Sequence, residues 1–236
     1  MLFLYVLIRR SYTTFLRESG FLCFRPVPMQ GVMIIKLMAV TDGAHDTADL
    51  LRILLKVHPY VDYVQIREKN KPAGVIYQLC RELVKEGVPG RKLWINDRVD
   101  VTLLLGLQQA HIPGRGLPLI ELQKQYPDLQ FGTPVHSLEE AVQAEAAGAA
   151  YSLYGHCFPT ASKKGKAPQP LSNLAEIRRR ISIPLFGIGG ITIDRLAKLK
   201  ALELDGAAVM SGIFSAKEPV EAAKKLKEEC LRLEAI

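Results

Sequence analysis

Ile34-Ile35-Lys36-Leu37-Met38-Ala39-Val40 is a short apolar run, and Thr41-Asp42-Gly43 ends it with a turn signal. Residues 46–57 follow, placing Leu50, Leu51, Leu54 and Leu55 at helical spacing. A buried strand followed by an amphipathic helix is one repeating unit of a parallel sheet, and the same phrase returns along the whole chain. Further strands are expected at 61–66, 92–95, 110–112, 129–132, 149–153, 184–187 and 207–210. Helices are expected at 72–86, 99–105, 118–126, 138–147, 171–180, 192–201 and 219–233. Asn96-Asp97 stand where they could cap the third helix, and Ser137-Leu138-Glu139-Glu140 has capping-box spacing before the fifth. Eight strand-then-helix units predict an α/β fold of the (β/α)8 TIM-barrel type. A doubly wound open sheet is the alternative, because strand count does not show closure. Near-continuous apolar strands fit a parallel sheet covered by helices.

The 236 residues are 48% hydrophobic and 23% charged, enough to build one barrel core without disulfides or a structural metal. Cys23, Cys80, Cys157 and Cys230 show no CxxC or CxxH spacing. They read as reduced thiols in a cytoplasmic compartment. The formal charge is +7, of which residues 1–32 supply +3 through Arg9, Arg10, Arg17 and Arg25 against Glu18. The remaining excess suits an enzyme of anionic metabolites and is too small to indicate nucleic acid. Residues 1–8 are apolar and precede Arg9-Arg10, the reverse order of a secretory signal, and they are too few to span a bilayer. Residues 1–32 are therefore read as a poorly ordered or non-native extension, with Met29 or Met33 as the working start. A membrane-surface or partner segment is the alternative. Residues 33–236 form the catalytic domain in this reading.

In such a barrel the loops after the strands build the active site. Gln65, Arg67, Glu68 and Lys69 follow the second strand, and Asn96, Asp97 and Arg98 the third. His111 lies in the fourth strand, His136 follows the fifth, and Gly155-His156 the sixth. Gly187-Ile188-Gly189-Gly190-Ile191 and Ser211-Gly212 follow the seventh and eighth. Loops in those last two places commonly bind phosphate, because glycine lets backbone N–H groups approach an anion; the alternative is two tight turns. His156 is the candidate proton carrier, with His136 its competitor or merely part of a helix start. Arg67 and Lys69 could meet an anion or form a solvated loop, and Asn96 could be only a cap. Lys163, Lys164 and Lys166 lie in a long polar loop, solvated or closing as a lid. The histidines have no metal-ligand spacing, and Asp97 by itself is a poor magnesium site.

Gln65-Ile66-Arg67-Glu68-Lys69, Asn96-Asp97-Arg98, Phe158-Pro159-Thr160 and Gly187-Ile188-Gly189-Gly190-Ile191 together resemble the thiamine phosphate synthase superfamily. The resemblance runs from Ile34 to the C-terminus. Val135-His136-Ser137-Leu138-Glu139-Glu140, Gly155-His156 and Ala208-Val209-Met210-Ser211-Gly212-Ile213-Phe214 look closest to its TenI-type thiazole tautomerases. That likeness implies a cofactor-free, metal-free isomerase that aromatises a carboxylated dihydrothiazole phosphate, with His156 relaying the proton. It implies substrate contacts from Gln65, Arg67, Lys69, Asn96, His136, Gly189, Gly190, Ser211 and Gly212, and pairing into a homo-oligomer. Synthases carry a second aspartate for magnesium in the loop after the fourth strand. Here that loop reads Ile112-Pro113-Gly114-Arg115-Gly116-Leu117-Pro118, without a carboxylate. Both relatives have a serine where this chain has Pro134. The alternative activity is the synthase itself, magnesium-dependent, joining a pyrimidine pyrophosphate to the thiazole phosphate. A non-enzymatic barrel that binds a thiamine-related phosphate and regulates a partner is a third reading.

Overall fold

Asp46 starts the first helix: its carboxylate accepts the Asp49 backbone N–H at 2.8 Å, and Leu50, Leu54 and Val57 turn inward along α1 (Thr47–Val57). The computed structural model describes residues 12–15, 23–26, 35–160 and 168–235. The chain divides into two units, Met1–Val32 and Met33–Ile236. In the first, β1 (Tyr12–Phe15) and β2 (Cys23–Pro26) pair antiparallel.

The second unit is a closed parallel barrel, which settles the choice against the open sheet. Its strands are β3 (Lys36–Val40), β4 (Tyr63–Ile66), β5 (Leu93–Asn96), β6 (Gln109–His111), β7 (Gln130–Val135), β8 (Tyr151–Gly155), β9 (Leu185–Ile188) and β10 (Gly206–Val209). Neighbours follow chain order, and β10 closes on β3 with Gly206 opposite Lys36. The helices are α2 (Ala73–Lys85), α3 (Val99–Leu104), α4 (Leu119–Gln125), α5 (Leu138–Ala146), α6 (Leu171–Arg180), α7 (Ile193–Ala201), the short α8 (Ser211–Phe214) and α9 (Pro219–Glu234).

Strand residues alternate between two apolar layers. Leu37, Ala39, Val64, Ile66 and Ile95 pack outward against the helices, whereas Met38, Val40, Trp94, Tyr151 and Phe186 fill the barrel interior. Each fully buried aliphatic side chain contributes roughly 1.5–3 kcal/mol.

Three local expectations shift. Strand β7 runs on to Val135 because β6 ends opposite Gly132, leaving no strand beside Pro134 on the β6 side, where its missing N–H costs no ladder bond. Strand β8 begins at Tyr151 because the Ala149 N–H is already spent on the Ala144 carbonyl at 2.9 Å, closing the end of α5. Asn96 ends β5 instead of capping α3, whose N-cap is Arg98 with no side-chain bond. The capping box forms with a variation. Ser137 accepts from the Glu140 N–H at 3.2 Å, while the Glu140 carboxylate accepts from the His136 N–H at 2.6 Å, one residue before the expected partner.

Candidate active site

The alternation that packs the barrel also lines its mouth. Gln65, Asn96, His111 and Thr133 sit at or near the C-terminal ends of β4 to β7, with Leu153, Ile188 and Ala208 completing the ring. One half of the ring is polar and the other apolar, which suits a flat heterocycle that needs a few hydrogen bonds. Above the ring lies a cavity of about 1500 Å³.

The floor of the polar half is held from below. The Gln65 side-chain amide donates to the Tyr151 hydroxyl at 3.2 Å, and His111 Nδ1 lies 2.8 Å from the same oxygen. The Tyr151 hydroxyl thereby joins Gln65 and His111 in one buried hydrogen-bonded group. Burial, aided by the Arg67 charge, pushes the His111 pKa down to about 3, so the ring stays neutral. Burial pushes the Tyr151 phenol up, and it remains protonated. Tyr151 escaped the sequence reading. The signal was present in Tyr151-Ser152-Leu153-Tyr154-Gly155, where alternation puts Tyr151 on the face of Leu153 and Gly155.

All ten residues expected to contact substrate or carry the proton line this one cavity: Gln65, Arg67, Lys69, Asn96, His136, His156, Gly189, Gly190, Ser211 and Gly212. They occupy different parts of it. His156 is 5% exposed and stands against the Gly189 turn, with the neighbouring Cys157 and Phe158 N–H groups donating to the Ile188 and Gly189 carbonyls at 2.8 and 3.0 Å. His136 braces the end of β8, donating its Nδ1–H to the Gly155 carbonyl at 2.8 Å. Gly189 has φ +99°, and a Cβ there would fall 2.5 Å from the His156 Cβ, so only glycine fits. Arg195, also missed in the sequence, clamps this turn: it donates to the Gly190 carbonyl at 2.5 Å and lies 5.0 Å over the Phe158 ring. Of the polar loop, residues 161–167, with Lys163, Lys164 and Lys166, lie outside the described residues.

The rim after β4 is cationic. Arg67 is half-buried, its backbone N–H donating to Thr41 Oγ1 at 2.7 Å. Burial lowers its pKa and Glu68 opposes the shift; a guanidinium remains charged regardless. The Lys69 pKa is lowered chiefly by Arg67, then by burial and by Arg115, with Asp97 opposing. Asp97 itself has φ +62°, a conformation an aspartate tolerates and which often marks a functional site.

Magnesium, implied by the resemblance for a synthase, does not fit this donor set. Asp97 brings one carboxylate, Glu68 is paired with Lys71 at 2.5 Å, Glu140 accepts from the His136 N–H at 2.6 Å, and the loop after β6 carries Arg115 and no carboxylate. No cluster of three or more His, Cys, Asp or Glu able to hold a metal occurs among the described residues.

A family model described as thiamine monophosphate synthase matches residues 37–213, which span the barrel from the second residue of β3 to beyond β10. The chain belongs to that family. A thiamine-phosphate synthase of Desulfitobacterium hafniense (strain Y51) is 40% identical over 185 residues, 76% of this chain and 88% of the relative. One from Clostridium tetani is 34% identical over 168 residues, covering 69% of this chain and 79% of the relative. Among solved structures, a thiamine phosphate pyrophosphorylase from Pyrococcus furiosus is 26% identical, with TM-score 0.72, over 86% of this chain and 98% of that one. These names overturn the tautomerase expectation, because the relatives of this thiamine monophosphate synthase family member are synthases. Their class is transferase, and the isomerase reading is corrected accordingly. The reason is one of scale: the tautomerase expectation rests on residues 135–140, 155–156 and 208–214 and on the missing carboxylate after β6, whereas the likeness to a synthase extends over 185 residues.

Proposed function

We propose that this chain is a thiamine-phosphate synthase, joining a pyrimidine methyl diphosphate to a thiazole phosphate with release of pyrophosphate. The observation that carries the reading is one cavity lined both by the glycine turns Gly189-Gly190 and Ser211-Gly212 and by the cations Arg67 and Lys69, two groups suited to anions. Two phosphorylated substrates would bring two anionic tails to this cavity, one for each group.

In this reading the backbone of the two glycine turns holds the thiazole phosphate, and Arg67 and Lys69 hold the diphosphate. Gln65 and Asn96 orient the rings over the floor set by Tyr151 and His111. The C–O bond of the pyrimidine methylene breaks with its electron pair leaving on pyrophosphate, while the thiazole ring nitrogen supplies the pair for the new C–N bond. The protein's work is orientation and charge neutralisation of the leaving group. No proton has to leave the thiazole, so His156 has no obligatory step as a base and instead forms a wall beside the phosphate turn. The substrates are small molecules; neither a nucleic acid nor a membrane partner is part of the reading. No helix among the described residues is long and apolar enough to cross a membrane.

Purified protein given both substrates should form thiamine phosphate and an equal amount of pyrophosphate. Absence of product, with and without added magnesium, would overturn the assignment. Arg67→Ala should cut kcat/KM by about 10²-fold, the scale of losing a preorganised charge on a leaving group. His156→Asn should stay within about tenfold, a cost near 1.4 kcal/mol, measured in the same assay.

A further inference from the structure

The loop after β6 is a tight turn whose Arg115 lines the cavity. The Gly116 N–H donates to the Pro113 carbonyl at 2.7 Å, closing Pro113-Gly114-Arg115-Gly116 into a tight turn. The base of that turn is fastened to β7, since the Ile112 N–H donates to the Gly132 carbonyl at 2.8 Å and Thr133 Oγ1 donates to the Ile112 carbonyl at 3.2 Å. Arg115 lines the same cavity as Arg67, Lys69 and Asp97, and its charge reaches Lys69. The neighbouring acids are largely committed: Glu68 to Lys71, and Asp100 to Arg98 at 2.5 Å. Among the described residues, Glu140 also lines the cavity but accepts from the His136 N–H, which leaves Arg67, Lys69 and Arg115 with Asp97, the carboxylate whose charge acts on Lys69. A magnesium ion would add positive charge where the protein already has an excess, whereas a diphosphate would be matched without it.

We propose that Arg115 stands in for the divalent cation, so that Arg67, Lys69 and Arg115 neutralise the diphosphate directly and pyrophosphate binds without magnesium. This deepens the synthase reading and rests on it for the identity of the ligand. Guanidinium can take two phosphate oxygens in a fork, and it carries its charge at any working pH.

Calorimetric titration of the purified chain with inorganic pyrophosphate tests it, once in EDTA and once with magnesium. The affinity in EDTA should lie within about threefold of that with magnesium, and Arg115→Gln should weaken it by about tenfold. Arg115→Asp supplies the missing acid, and binding should then require magnesium. Arg115 is exposed on a loop, and a thermal melt of each variant checks that the fold persists. Loss of wild-type pyrophosphate binding in EDTA would overturn the proposal, as would an Arg115→Gln variant that binds as tightly as wild type. Neither result depends on turnover, so a chain that fails to make thiamine phosphate yet binds pyrophosphate through Arg115 refutes the synthase reading alone.

Discussion

Lys71→Met should cost about 3–5 kcal/mol of folding stability, the penalty of leaving a buried charge without its partner. Glu68 is 3% exposed, its Oε2 lies 2.5 Å from the Lys71 ammonium, and its Oε1 finds no protein hydrogen-bond donor among the described residues. Lys71 also donates to the His45 carbonyl at 2.8 Å, so the ammonium ties the loops after β3 and β4 together. Replacing it strips the buried carboxylate of the cation bonded to it. Chemical denaturation checks the size of the loss. Glu68→Leu added to Lys71→Met should recover most of it, because the unpaired charge is then gone; a Lys71→Met protein as stable as wild type would show that the pair contributes nothing.

Gly189→Val should lower kcat/KM by about 10³-fold with the fold retained. A valine at φ +99° is strained by about 1–3 kcal/mol, and overlap with His156 adds about as much again. Relief requires the turn to move away from His156, and with it the N–H groups proposed to hold the thiazole phosphate. A displacement near 1 Å is enough to cost about 10²-fold in an oriented reaction, beyond the direct loss of binding. Steady-state kinetics against thiazole phosphate should show a raised KM as well as a lowered kcat. Unchanged KM would place the phosphate elsewhere.

The two substitutions act on features of different legibility. Gly189-Gly190 could be found by reading, since paired glycines after a strand and before a helix state their own backbone requirement. The Glu68–Lys71 pair could not be valued that way, because its energy comes from burial contributed by distant elements. Arg115 shows the same limit more sharply. Read along the chain, the loop after β6 only lacked an acid, and that absence steered the function toward an isomerase. Read in space, the loop adds a cation beside Arg67 and Lys69, and the relatives named as synthases make that cation worth explaining.

Local periodicity by itself determined the eight strand-and-helix units, the rim positions of Gln65, Arg67, Asn96, His156 and the glycine turns, and hence the end of the barrel where chemistry sits. Backbone hydrogen bonding and side-chain alternation act over a few residues, so they are written in the order of residues. Only the tertiary structure decided that the sheet closes β10 onto β3, that Tyr151 supports Gln65 from 86 positions away, and that Arg67, Lys69 and the two glycine turns line one cavity. Those are consequences of ring closure, which brings distant strands within hydrogen-bonding and Coulombic range, and no local pattern encodes a distance of that kind.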